Sequence, residues 1–540
     1  MDVIRFLKSV YFHHNYFLVN LYKMNLRSSP ILLIVWFFMA FFIWGNCDAQ
    51  TRKKGTHLSH RYYVSIEGDD NNPGTLTAPF KTIQKINGLT LRPGNAVYFK
   101  GGETFKGSLV IGPIIISPLA EGKPDSSIWV SSYGDGQAII NGDSGRAISL
   151  YRIKNAYISN LKLVGLGRKN GNHENGLAIL NCENIRVRDI NISGFQKSGL
   201  LIDSASDVGC DNVFAHDNGS AGITVEGDSK KASRNINIDD CRAENNPGDP
   251  TKLDNHSGNG IVVGHCTNVT IRACSATNNG WDMPRIGNGP VGIWCYEADS
   301  VFIEHCLSYN NKTSRDGADG GGFDLDGGTT HSIIEDCYSY GNRGSGYCIF
   351  QYWGASPWHD NIIRNNITEN DGTVSDSQAG LYIWNSSDDP KQFYNCKVYG
   401  NIVYNEKVAA ISFSDKSENS GFNFYHNVFV GKDSLIKGRD ILGKCKFSGN
   451  DWWSLDSRFN AWAMKSFRAW SVKFNKERKN GKVIGFNIDP KFKNPDLTRF
   501  TEVRQLNFFS GYQFSKWSAL KKHFGGNLEP ADLLAREDTY

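Results

Sequence analysis

The stretch Gly322-Phe323-Asp324-Leu325-Asp326 decides the fold, because its pattern of glycine, apolar, any, apolar, any recurs along the chain. The apolar pairs are Leu177/Ile179, Leu200/Ile202, Ile223/Val225, Ile261/Val263, Ile293/Cys295, Phe323/Leu325, Tyr347/Ile349, Leu381/Ile383 and Ile411/Phe413. Their first members lie 23, 23, 38, 32, 30, 24, 34 and 30 residues apart, a basic coil of 23 residues with insertions. A second apolar segment follows in each repeat and ends in an Asn or Gly turn, as in Ile333-Ile334-Glu335-Asp336-Cys337-Tyr338-Ser339-Tyr340-Gly341-Asn342. Short alternating segments separated by polar turns are strands, so one repeat is one coil of a β solenoid. The predicted fold class is all-β: a single-stranded right-handed parallel β-helix of roughly ten or more coils. A helical cap is expected at its N-terminal end and an irregular or helical cover at its C-terminal end.

Cysteine usage fits the coil. Cys241, Cys274, Cys306 and Cys337 occupy equivalent positions, followed by Asn366, Asn401, Asn427 and Asn450. Coils stack about 4.8 Å apart, so these residues are expected to form an interior column of free thiols that continues into an asparagine ladder. Eleven cysteines follow Ala49, none in CxxC pairs, which speaks against a metal cluster.

Ahead of the repeats, Tyr62-Tyr63-Val64-Ser65, Asn72-Pro73-Gly74-Thr75, Pro79-Phe80-Lys81-Thr82-Ile83-Gln84-Lys85-Ile86 and Pro93-Gly94-Asn95-Ala96-Val97-Tyr98-Phe99 describe a strand, a turn, a short amphipathic helix and a strand. This segment resembles the N-terminal cap of the secreted right-handed parallel β-helix superfamily of carbohydrate-active enzymes, which includes pectate lyase-like and polygalacturonase-like proteins. The resemblance extends over residues 62–495, where Asp489-Pro490-Lys491-Phe492-Lys493-Asn494-Pro495 is similar to the superfamily's ending. It implies a carbohydrate-active β-helix. The Asn-Thr-Asp and Gly-His-Gly phrases of polygalacturonases are missing, so no family residue is carried over.

The domain reading is a signal peptide over 1–49, a linker over 50–61, the capped β-helix over 62–450, a covering segment over 451–495 and a tail over 496–540. Residues 30–44 are almost wholly apolar, follow Arg27 and lead to Cys47-Asp48-Ala49, with cleavage expected after Ala49. Met24 alone would begin a conventional signal, which makes residues 1–23 a candidate mis-assigned start. A retained anchor and a lipoprotein Cys47 are the alternatives. A secreted or periplasmic protein, monomeric and without a membrane span in its mature chain, is expected. The net charge of +4, partly carried by the N-terminal segment, gives no footprint for nucleic acid.

Alternation along a strand places the residues between each inward pair outside. One outward column reads Thr224, Val262, Trp294, Asp324, Cys348, Tyr382, Ser412; the next reads Glu226, Gly264, Tyr296, Asp326, Phe350, Trp384, Ser414. A third holds His265, Glu297, Gln351 and Asn385. Insertions at 246–259, 279–291, 310–321 and 371–379 all precede these strands, as loops that wall a cleft should. Asp324 and Asp326 are therefore the predicted catalytic pair, acid with base or nucleophile, and Glu297 is the reserve carboxylate. Trp294, Tyr296, Tyr382 and Trp384 are expected to stack on sugar rings, with His265, Arg285 and Gln351 as further substrate contacts.

The ordinary reading of Asp-x-Asp-Gly-Gly is a strand-to-turn sequence whose acids accept backbone hydrogen bonds. The expected partner is a polysaccharide or oligosaccharide. Hydrolysis needs no cofactor; calcium, gathered by Asp316, Asp319, Asp324 and Asp326, is the alternative. Elimination on a uronate glycan is the second function, with Arg285, Lys312 and Arg315 as its basic candidates. A non-catalytic glycan-binding solenoid is the third.

Overall fold

The computed structural model describes residues 60–113, 127–228, 232–414, 419–438, 444–492 and 501–506, apart from positions 388, 457, 504 and 505. They belong to a unit spanning residues 59–540. The expected signal peptide and cleavage site, and almost all of the tail, lie outside the described residues. No helix among the described residues is long and apolar enough to cross a membrane.

The chain winds as a right-handed parallel β-helix, with each coil hydrogen-bonded in parallel register to the next. One ladder, the site sheet, passes through Ser198–Asp203, Ala221–Glu226, the first halves of Asn259–Arg272 and Val291–Glu304, then Gly321–Leu325, Tyr347–Gln351 and Leu381–Asn385. A second ladder includes Ile333–Glu335, Trp358–Arg364 and Phe393–Tyr399, and a third includes Leu307–Tyr309, Tyr338–Tyr340 and Ile367–Glu369.

Register follows from burial. Ile293, Cys295, Phe323, Leu325, Ile349 and Ile383 are all completely buried inside the solenoid. A slip of one residue would turn these side chains outward and the polar set inward, so the hydrophobic pattern fixes the phase of each strand.

The interior column is as the repeat predicts. The backbone N–H of Cys241 donates to Cys274 Sγ at 3.4 Å, Cys274 N–H to Cys306 Sγ at 3.4 Å, and Cys306 N–H to Cys337 Sγ at 3.3 Å. Cys337 N–H then donates to Asn366 Oδ1 at 2.9 Å, and Asn401, Asn427 and Asn450 carry the ladder on. All eleven cysteines of the described residues are free and buried. A second ladder, not read from the sequence, runs through Asn218, Asn246, Asn279, Asn311 and Asn342 to Asp371.

Each end of the stack has a cover. At the start, the helix Ile83–Asn87 is capped by Thr82, whose hydroxyl accepts from Lys85 N–H, and buries Ile83 and Ile86. At the far end, the helix Phe467–Phe474 buries Trp470 against Trp452. Glu477 accepts hydrogen bonds from Asn450, closing the asparagine ladder.

Candidate active site

The four insertions rise from the same edge of the site sheet and enclose a cavity of about 1130 Å³. Asp254, Asn255 and His256 come from the first, Arg285 to Asn288 from the second, Arg315 to Asp319 from the third, and Val374 to Gln378 from the fourth. Hydrogen bonds staple each loop to the next. Asn288 Nδ2 donates to Asn255 Oδ1 at 3.2 Å and Ala318 N–H to Gly287 O at 2.9 Å, while Arg343 links the third loop to the fourth, donating to the carbonyls of Thr313 and Ser314 and accepting at its own carbonyl from Val374 N–H at 2.6 Å. The floor is the outward face of the site sheet, contributing Trp294, Tyr296, Asp326, Phe350, Tyr382 and Trp384.

Asp326 is half-buried on this floor, with one carboxylate oxygen accepting from Gly327 N–H at 2.7 Å. Burial, reinforced by the charges of Asp319 and Glu297, raises its pKa to about 7. Asp319 faces the same cavity, accepts from Gly289 N–H at 2.7 Å, and is raised by burial to about 6. Of the four carboxyl groups that line the cavity, Asp254, Asp316, Asp319 and Asp326, burial raises Asp319 and Asp326 toward neutrality.

Asp324 departs from the expectation that both strand acids project together into the groove. Its Cα pairs with Trp294 on one side and Cys348 on the other, and its side chain is 2 % exposed and contributes nothing to the cavity lining. Its Oδ1 is buried without a hydrogen-bond partner. Burial, with Asp326 and Asp319 nearby, pushes its pKa well above the usual carboxylate range and favours its protonated form.

The other predicted residues divide. Trp294, Tyr296, Tyr382, Trp384 and Arg285 converge on the cavity. Glu297, His265 and Gln351 do not line it. Glu297 accepts from Tyr352 Oη at 3.2 Å and from Ser356 N–H at 2.9 Å, bracing the turn that carries Tyr352. Gln351 is fully buried, its Oε1 accepting from Gly328 N–H and its Nε2 donating to Ser356 O. His265 lies outside the lining, edge-on to Tyr296 and 4.0 Å from Glu226. Lys312 also faces away, with its ammonium donating to Asn278 Oδ1 at 2.9 Å. The oxygens of Asp316, Asp319, Asp324 and Asp326 do not form a set of three within 4.8 Å of one another.

His256, Arg315, Asp319 and Tyr352 also line the cavity; the sequence offered Arg315 only as a base for elimination and Asp319 only as a calcium ligand, and did not point to His256 or Tyr352. The first three sit in insertions, whose location was legible but whose loop conformation was not. His256 packs edge-on against Trp294 at 4.7 Å, and burial, with Lys252 and Arg285 nearby, lowers its pKa to about 4, so it is neutral at pH 7. Tyr296 has an unforeseen reach: its hydroxyl donates to Glu226 Oε2 at 2.7 Å, two coils away. Gly264, which stands between them in the same column, makes room; a Cβ there would lie 2.3 Å from the Tyr296 ring.

Comparison with known proteins places the chain. The sequence family described as Pel9A-like, right-handed beta helix region matches residues 62–371, and the chain belongs to that family. No curated protein matches it in sequence. Among solved structures, the lacto-N-biosidase of Eubacterium ramulus is 16% identical, with 70% of this chain and 65% of that chain covered and a TM-score of 0.44. This chain thus spans less than two thirds of that protein. The pectate lyase Pel9A is 14% identical, with 67% and 79% covered and a TM-score of 0.38. An alginate lyase from a Paenibacillus species is 16% identical, with 63% and 97% covered and a TM-score of 0.37.

Proposed function

We propose that this protein is an exported polysaccharide-cleaving glycoside hydrolase whose chemistry takes place in the loop-walled cavity over the site sheet. The observation that carries the reading is the pairing of Asp326 and Asp319, two carboxyl groups raised to about 7 and about 6 in one aromatic-lined cavity. Asp326 is the group that holds its proton longer and serves as general acid, protonating the glycosidic oxygen as the bond breaks. Asp319 ionises first and supplies the second carboxylate, which deprotonates the attacking water or attacks the anomeric carbon itself. Asp324, whose burial favours the protonated form, does not line the cavity and acts only through its neighbours.

Tyr296 and Trp384 offer partly exposed apolar faces to sugar rings, Trp294 and Tyr382 back them as buried rings at the cavity edge, and the cavity volume suits a few sugar units. Export rests on the apolar segment at 30–44 that precedes Ala49.

Arg285 and Arg315 in the same cavity favour a second reading, β-elimination on a uronate-containing glycan. There the guanidinium groups would pair with the uronate carboxylate and stabilise charge that develops after proton abstraction. Product chemistry separates the two readings. On a panel of plant and algal polysaccharides, hydrolysis releases new reducing ends with no unsaturated sugar. Elimination leaves a carbon–carbon double bond that absorbs in the ultraviolet, and its appearance would replace the hydrolase by the lyase. Binding with neither product would make the solenoid a glycan-binding protein.

A further inference from the structure

Outside the cavity, three consecutive coils meet at the turn that follows the site strand. Thr330 forms parallel bridges to Asp299 on the coil before and to His359 on the coil after. This register brings Asp299, His331, His359 and Asp360 together at one edge of the second ladder. His331 Nδ1 lies 2.7 Å from Asp299 Oδ1, a hydrogen bond that keeps the proton on Nδ1 and leaves the Nε2 lone pair available. That Nε2 is 4.0 Å from Asp360 Oδ2. The same oxygen is 2.7 Å from His359 Nδ1.

One ligand atom from each of His331, His359 and Asp360 falls within 4.8 Å of the other two, the only such trio of His, Cys, Asp or Glu among the described residues. We propose that His331, His359 and Asp360 bind a divalent transition metal of the zinc, nickel or copper class, with Asp299 orienting His331 from behind.

Four physical points support the site. Two imidazoles and a carboxylate favour these ions over calcium or magnesium, which take oxygen ligands. In a tetrahedral site with bonds of about 2.0–2.1 Å, ligand atoms stand about 3.3 Å apart; the separations of 2.7 and 4.0 Å bracket that value, so small side-chain rotations, with the His359 proton moved from Nδ1 to Nε2, complete the geometry. A carboxylate that accepts from the far nitrogen of a ligating histidine is the usual device for fixing its tautomer, and Asp299 stands in that place. The His359 ring is in turn held flat on Tyr394, with centroids 4.8 Å apart and planes at 16°. Three protein ligands leave a fourth position for water. The bound ion would clamp consecutive coils together at the turn beneath Tyr352, independently of the carboxylates in the cavity.

The test uses untagged full-length protein, dialysed against chelator and titrated with zinc chloride by calorimetry near neutral pH. One zinc per chain is expected, with affinity reduced at least about 10-fold in His331→Ala and in His359→Ala, and by about 10-fold or more in Asp299→Asn. These are surface positions, so a circular dichroism spectrum like that of the parent is expected for all three. Zinc should raise the melting temperature of the parent and leave that of His331→Ala unmoved. No binding at millimolar zinc would overturn the proposal. So would binding that survives both histidine substitutions, or binding that is lost in Asp319→Asn or Asp326→Asn, which would move the ion to the cavity.

Discussion

Trp294 and Asp324 are register partners on adjacent coils and are 4 % and 2 % exposed, yet Trp294 lines the cavity floor and Asp324 does not. Two residues on one outward column thus have different fates. The consequence is that, of the two cavity acids raised by burial, the strand supplies Asp326 and the third insertion supplies Asp319.

The pH dependence of turnover should show this division. With Asp326 acting as acid at about 7 and Asp319 as carboxylate at about 6, kcat/KM should be bell-shaped with its maximum between pH 6 and 7. Asp319→Asn should remove the acid limb from the residual activity, and Asp326→Asn the alkaline limb. Initial rates across a pH series check this, and limbs unchanged by either substitution would reassign the roles.

Asp324→Asn should alter the pH dependence of stability. A carboxyl whose folded-state pKa is raised stabilises the fold fully below its unfolded pKa, and that contribution is lost as pH rises toward the folded value. Asparagine does not titrate, so the variant should gain on the parent between pH 5 and pH 8, values on either side of the cavity acids. Melting temperatures at the two pH values measure the gap. A gap that stays the same at the two pH values would show that Asp324 is already ionised in the folded protein at pH 5.

Gly264→Ala should disturb substrate binding without altering a carboxyl group of the cavity. The new methyl would lie 2.3 Å from the Tyr296 ring, which must swing away and give up its 2.7 Å hydrogen bond to Glu226. The ring is a cavity wall, so KM should rise several-fold, by about 3- to 10-fold for a loss on the order of 1 kcal/mol. kcat should change less. Tyr296→Phe, which keeps the ring and removes only the hydroxyl, should have the smaller effect in the same assay.

Asn401→Ala should weaken the solenoid. Asn401 Oδ1 accepts from both the backbone N–H and the side-chain amide of Asn366, and its own amide donates to Ile363 O and Asn427 Oδ1. Truncation leaves these buried partners unmatched, at a cost of about 2–3 kcal/mol. The urea midpoint, followed by circular dichroism, should fall accordingly; an unchanged midpoint would mean that the ladder adds no net stability.

Much of the fold was legible because a coil repeats its constraints. The pairs from Leu177/Ile179 to Ile411/Phe413 had to point inward together, and Cys241 to Asn450 had to stack, since parallel register places equivalent residues above one another. The site was less legible. Alternation predicts which way Asp324 leaves the strand but not what lies over it, and no short-range rule specifies the path of residues 310–321, which carry Asp319. Gln351 shares the inward parity of Tyr347 and Ile349 and is buried as alternation requires, whereas Glu297 takes a left-handed backbone with φ of 44°, where alternation fails. His256 and Tyr352 reach the cavity through loop geometry that has no periodic signal. The Tyr296–Glu226 contact was latent in the column Glu226, Gly264, Tyr296, where the missing side chain of glycine is the clue.

The most direct test of the central claim compares reducing-end release by the parent and by Asp326→Asn on a polysaccharide that the parent cleaves, with circular dichroism to establish that both are folded. Loss of the general acid should lower kcat by about 10²- to 10⁴-fold while the fold is retained. A folded Asp326→Asn protein that turns over within a factor of about two of the parent would contradict the assignment of this cavity as the place where the glycosidic bond is broken.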